Sequence, residues 1–319
     1  MKDTIGTLLG FLIGISLVLF GITWPDHLSN YYMYQLREYE MATKQMKKDG
    51  VPRNQIQELE QKFSEFQDSW IGTMSRFIDL KSFLIVMGGA YSAMMVAFPF
   101  DKAMGAFVFI VRVFASSVKK EEFLDVYHTV LKLAEKRVNN AILTDEDINA
   151  IHSVDLKRWV QDFIVVDIVE ENMIEEIVRS EIEMYNYRSF EEIDVLNFLG
   201  AASPAFGMLG TVVGLILMLG NTGGDVAGVM GGMSIALITT LYGVFLAQIM
   251  FLPIASKRYQ MKESHIMLLE MIREGLLYLK RREIPDTISQ DLIIYLPLKM
   301  RQKITEEKMA AMREGNLGL

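Results

Sequence analysis

The residues best placed to do chemistry lie inside uncharged, apolar runs. Thr211 sits within residues 201–219, and Ser234, Thr239 and Thr240 sit within 231–254. Two further apolar runs, 5–24 and 82–100, share their main feature: none of the four contains Asp, Glu, Lys, Arg or His. Hydroxyl oxygens suit a hard cation such as sodium, which prefers oxygen ligands. Carrying an ion through hydrocarbon normally needs an ionisable side chain that binds and releases it. If this chain conducts, the carboxylate must come from another polypeptide. The plainer reading has each threonine bonding back to the carbonyl four residues earlier and doing nothing else. Pro204 and Pro253 pose the same choice. Each removes a backbone donor, so each marks a helix boundary or acts as a hinge beside an ion exit.

Other chemistries find no footing. The 319 residues include no cysteine, which excludes disulfides and thiolate metal sites. The histidines His27, His128, His152 and His265 are scattered, and no metal-ligand spacing, nucleophile motif or phosphate loop accompanies them. The sequence therefore does not read as an enzyme and implies no cofactor. A net charge of −8 argues against nucleic acid as a partner.

The elements that must hold these residues follow from hydropathy. Half the chain is hydrophobic, yet 23% is charged, with a mean hydropathy of +0.22. That mixture fits an all-α integral membrane protein with helical segments outside the bilayer. The four runs each approach the ~20 residues that cross ~30 Å of hydrocarbon. The run at 5–24 reads as a span rather than a cleaved leader, because no small-residue cleavage site follows. Lys257 and Arg258 follow the fourth run, and Lys102, Arg112, Lys119 and Lys120 follow the second. The positive-inside rule then places both termini in the cytoplasm. The expected organisation is a first span in 1–24, an external helical hairpin in 25–81 and a second span in 82–100. A cytoplasmic helical domain fills 101–200, followed by a third span in 201–219. An external loop at 220–230, a fourth span in 231–254 and a cytoplasmic helix and tail in 255–319 complete it.

Periodicity fills in these segments. Tyr32, Leu36, Tyr39, Thr43 and Met46 form one heptad-like stripe, and Ile56, Leu59, Phe63, Phe66 and Trp70 form another. Asp49-Gly50-Val51-Pro52 between them is a turn signal, so an antiparallel hairpin is expected, packed on itself or on copies of itself. Phe107, Ile110, Val111 and Phe114 mark an amphipathic helix at the membrane surface. Helices are expected over 121–139, 154–168 and 171–186, with Thr144 recapping the chain. The stretch from Ser189 should run straight into the third span. An exposed helix should cover 257–282 until Pro285 ends it, with the last residues frayed. Gly6, Gly10 and Gly14, and Gly210 and Gly214, recur every fourth position, which lets helices approach closely.

Several runs carry a resemblance. Residues 203–216 (SPAFGMLGTVVGLI), 236–243 (ALITTLYG), Leu252-Pro253-Ile254-Ala255, 78–90 (IDLKSFLIVMGGA), Ala97-Phe98-Pro99, and Glu274-Gly275 with Pro285 resemble, in the right order, the MotA branch of the MotA/TolQ/ExbB family. The hairpin is longer than that family's link, and Gln248 stands where the family often has Asn. The resemblance implies a stator subunit of an ion-driven motor in the bacterial inner membrane, acting in flagellar rotation. It implies a homopentamer around a dimer of a MotB-like, single-span, peptidoglycan-binding partner that carries the ion-binding Asp. Thr211, Thr239 and Thr240 match ion-path positions, and keeping all three favours Na+ over H+. Pro204 and Pro253 match the family's functional prolines. Arg137 with Asp145, or Glu146 in its place, matches the contact to the rotor switch protein FliG, although a solvated charged face explains these residues too. A TolQ/ExbB-like or gliding-motor energiser is the alternative, and a purely structural scaffold a further one.

Overall fold

The computed structural model describes Ser16 and residues 31–99, 102, 120–139, 141, 143–166, 169–220 and 226–315. The first expected span (Ser16 apart), the amphipathic stretch 107–114 and residues 221–225 lie outside them. Every regular element among the described residues is helical. In chain order they are α1 (Tyr31–Lys48), α2 (Arg53–Asp68), α3 (Trp70–Ser75), α4 (Leu80–Ala97), α5 (Lys120–Val138) and α6 (Asp145–Asn149). Next come α7 (Val154–Trp159) with a π segment Val160–Val165, then α8 (Glu171–Gly220) and α9 (Val226–Phe245) with a π segment Leu246–Phe251. The chain closes with α10 (Leu252–Arg281), α11 (Pro285–Leu292) and α12 (Leu298–Gly315). Among the described residues, three stretches are long and apolar enough to cross a membrane: α4, α8, and the continuous run from Gly228 to Arg281.

Two compact units divide the chain. The first takes the described residues of Met1–Val111 with Glu192–Ser256, and the second takes Arg112–Glu191 with Lys257–Leu319. In the first, α4 begins two residues before the expected span because Asp79 caps it. The Asp79 carboxylate accepts from Ser82 N–H at 2.9 Å and also from the Ser82 hydroxyl. A π turn at Leu84–Gly88 interrupts this helix. Gly89 lies against the Phe206 ring, and Phe98 meets Phe198 edge-on at 5.5 Å, so α4 packs on α8.

The α8–α9 pair is tighter still. A methyl group at Gly214 would sit 2.6 Å from Gly232 O and Ala236 N, and one at Gly232 would sit 2.6 Å from Met218 N. At Gly243 it would come within 2.7 Å of Ser203 O. The backbones themselves are in contact, as small-residue faces permit between apolar helices.

The second unit has its own hydrophobic core. Phe123, Tyr127 and Val130 of α5, Trp159 of α7, Ile174 and Val178 of α8, and Leu268, Ile272 and Leu276 of α10 are buried in it. The stretch 257–282 is therefore not the exposed helix its charged residues imply. Its charges lie mostly on one side, while Leu268, Leu269, Met271, Ile272, Leu276, Leu277 and Leu279 fill the core. Nor does Pro285 end that helix. The helix stops at Arg281, where Arg282 takes φ 56°, Glu283 N–H bonds Tyr278 O at 3.1 Å, and Arg282 N–H bonds Leu279 O. Pro285 instead opens α11 at the position where its missing N–H costs nothing. The tail is helical as α12, anchored by buried Ile304.

The hairpin forms as its stripes require. Gly50 turns the chain at φ 70°, and Tyr39 stacks on Phe63 with centroids 4.4 Å apart and planes 7° apart. Trp70 falls in α3 and stays exposed.

Gly232→Ala should lower the thermal unfolding midpoint of the detergent-purified protein, at a cost of about 1–3 kcal/mol for forcing two backbones apart. Gly220→Ala, where nothing lies within 4 Å, should leave it unchanged.

Candidate functional site

The close approach of α8 and α9 brings two of the three threonines together. The Thr211 and Thr240 hydroxyl oxygens are 2.6 Å apart. Thr211 Oγ1 also lies 3.2 Å from Gly207 O and 3.3 Å from Ala236 O, and Thr240 Oγ1 lies 3.2 Å from Ala236 O. Each hydroxyl has one proton. One therefore donates to the other and the second to a carbonyl, which leaves lone pairs on both oxygens for a cation. Thr240 is exposed and Thr211 half-buried, so the pair opens on a face that the described residues leave uncovered.

Thr239 is different. It is fully buried, donates to the carbonyls of Ile235 at 2.8 Å and Ala236 at 3.2 Å, and fills the space over Gly210. A methyl at Gly210 would meet Thr239 Cβ at 2.5 Å. The plain reading of a back-bonded threonine describes this side chain. Ser234, six residues before Thr240 on α9, is half-buried.

The prolines occupy neighbouring turns. Pro204 lies inside α8 and leaves the carbonyl of Gly200 without its helical donor. Gly200 packs against the Leu252 side chain, next to Pro253, where a methyl would meet Cδ2 at 2.6 Å. Pro253 follows the π segment Leu246–Phe251, whose wider turn absorbs the lost donor. Two weakened turns thus face each other.

Comparison with known proteins gives the family of the chain. The profile of the MotA/TolQ/ExbB proton channel family matches residues 146–271. Motility protein A of Treponema pallidum is 31% identical over 242 residues, covering 74% of this chain and 90% of the relative. Motility protein A of Treponema phagedenis is 30% identical over 237 residues, with the same coverage. This chain belongs to the MotA/TolQ/ExbB proton channel family. The solved flagellar MotAB stator complex from Bacillus subtilis superposes with a TM-score of 0.62 at 25% identity, over 70% of this chain and 86% of that one. Membership sets the chain among channel and motor components rather than enzymes.

The family-derived charged residues fall in the second unit. Arg137 is buried on α5 and donates from Nη1 to Ile164 O at 3.3 Å. Asp145 and Glu146 are exposed in the first turn of α6. The structure does not bring Arg137 to the surface these acids occupy. A capping box fixes that turn: the Thr144 side chain accepts from Asp147 N–H, and Asp147 accepts from Thr144 N–H. The Asp147 carboxylate also receives the Lys136 ammonium at 2.6 Å.

Spacing alone missed one contact. The Tyr242 hydroxyl on α9 accepts from Asp79 N–H at 3.0 Å and donates to Phe77 O at 2.5 Å, tying α9 to the start of α4. Nothing in the sequence links Asp79 to Tyr242.

The Lys136 hydrogen bond, followed by that from the Thr144 backbone, pulls Asp147 down from 3.8 to about 2. A depressed carboxylate stabilises the fold above its unfolded value and loses that contribution as pH falls through the folded one. The unfolding midpoint of Asp147→Asn should therefore lie below that of the native chain at neutral pH. The gap should close between pH 3.8 and about 2.

Proposed function

We propose that this chain is the ring-forming stator subunit of an ion-driven rotary motor. With a MotB-like partner it forms a cation channel that converts ion flow into torque for flagellar rotation. The observation that carries this reading is the acid-free pair of spans at 201–219 in α8 and 231–254 around α9, with the Thr211–Thr240 hydroxyls on its open face, in a chain whose relatives are motility proteins. Such a pair ligates a cation but holds no charge of its own, so an outside carboxylate completes the path. The MotAB complex of Bacillus subtilis supports that second chain.

In the full reading, five copies surround a dimer of the single-span, peptidoglycan-binding partner in the bacterial inner membrane. Both termini lie in the cytoplasm and the 31–68 hairpin lies outside. Ion binding neutralises the partner's acid and lets the ring step. A membrane potential supplies about 2.3 kcal/mol per charge per 100 mV. Na+ is favoured over H+ because paired hydroxyl oxygens are ligands for a hard cation rather than proton acceptors. Thr211 and Thr240 line this path, and Thr239 holds it together by packing. Pro204 and Pro253 serve as hinges. Toward the rotor protein FliG, exposed Asp145 and Glu146 make the contact, and buried Arg137 braces α5 beneath them.

Swimming speed at fixed pH should rise with sodium and survive a protonophore. Speed indifferent to sodium would remove the ion assignment and leave the motor. Thr211→Val and Thr240→Val should each slow swimming several-fold at unchanged protein level. Undiminished speed in both would favour a scaffold without a conducting role. Reversing Asp145 and Glu146 to Lys should reduce torque on tethered cells at unchanged protein level in the membrane.

A further inference from the structure

The hairpin α1–α2 is not a finished structure. Its apolar stripes meet along one seam, yet α2 buries no residue. A groove of about 520 Å³ stays open along the seam, lined by Tyr39, Met41, Ala42, Leu59, Phe63 and Phe66 among others. Met41 is 63% exposed. The short α3 packs against both helices, but helices of 18 and 16 residues with a six-residue third bury little apolar surface of their own.

Charge says what closes the seam. Helix α1 carries Arg37, Lys44, Lys47 and Lys48 against Glu38 and Glu40, an excess of positive charge. Helix α2 carries Glu58, Glu60, Glu65 and Asp68 against Arg53 and Lys62, an equal excess of negative charge. Lys44, Lys47, Lys48, Glu58, Glu60 and Glu65 are all exposed. A hairpin whose two helices bear opposite charges is complementary to a second hairpin of the same sequence. No third chemistry is needed: α1 of one copy matches α2 of another in charge, and both contribute apolar residues to the shared seam.

We infer that the 31–68 hairpin is a self-association module, in which α1 of one copy packs over the seam against α2 of a second copy. The inference rests on the multi-copy ring proposed above and gives that ring a second contact outside the spans.

The chain has no cysteine, so labelling is clean. Two differently tagged full-length chains, one with Ala42→Cys and one with Leu59→Cys, are co-expressed and treated in membranes with a short bismaleimide. A cross-linked dimer bearing both tags is expected. Lys44→Glu, Lys47→Glu and Lys48→Glu together should lower its yield by about fivefold or more at low salt. A chain that also carries Glu58→Lys, Glu60→Lys and Glu65→Lys should regain it. Light scattering of the purified unmodified chain separates the two readings. No cross-link between copies in a chain that remains multi-copy overturns the inference alone. A cross-link indifferent to the charge reversals, or one to a different protein, also overturns it. A monomeric chain overturns the ring and the inference together.

Discussion

Backbone contact between α8 and α9 is the constraint from which the rest of the first unit follows. Gly207, Gly210 and Gly214 on one helix meet Gly232, Ala236, Thr239 and Gly243 on the other. With no Cβ between them, the helix backbones touch, and the small side chains that remain are brought to fixed separations. The 2.6 Å contact between Thr211 and Thr240 is a consequence of that approach, not a separate interaction. The dispersion gained by close packing is available in hydrocarbon, where burial away from water contributes nothing between helices. The same constraint decides the rest of the surface. Once the small faces are used on each other, Val212, Leu215, Leu237, Leu241 and Val244 are left outside, ready for lipid or for other helices.

Rigidity at the glycines is offset by softness at the prolines. Pro204 and the π segment before Pro253 each relax a turn of hydrogen bonding, and Gly200 with Leu252 places those turns side by side. A helix pair locked along much of its length and loosened at one level can bend there without separating elsewhere. Interruptions of this kind have identifiable causes in donor loss, and here both causes are visible. In the proposed motor, this is the level at which a change in the occupancy of the path would meet least resistance.

Much of this was legible in the sequence, because hydropathy and period carry their own physics. The second, third and fourth apolar runs are helices of spanning length, Gly50 turns the hairpin, and Thr144 caps α6. The readings that differ did so where tertiary packing overrides local pattern. Charged residues on one side of 257–282 hid a core face at Leu268, Ile272 and Leu276. Pro285 breaks helices in their interior and begins them at their first turn, and only the left-handed Arg282 before it tells which. An eight-residue spacing from Arg137 to Asp145 says nothing about burial, and Arg137 is turned inward to a carbonyl. Three threonines of one residue type divide into a buried packing group and an open pair because α9 presents successive residues about 100° apart.

The absence of charge from the spans is best understood as an energetic choice. A carboxylate held permanently in hydrocarbon must be neutralised by a bound ion or proton, or its burial costs several kcal/mol. A ring built from such subunits would carry that cost at every position, occupied or not. Hydroxyls avoid it: Thr211 and Thr240 satisfy their protons against each other and against the carbonyls of Gly207 and Ala236, so the pair is stable without a charge beside it. In the proposed motor the charge needs to exist only where the partner helix brings it, and every subunit would present it with the same neutral, oxygen-bearing face. Equivalence among subunits would let the proposed ring step past a central acid without a preferred resting copy. An acid in each copy would replace that evenness with a set of wells whose depth depends on which sites are filled.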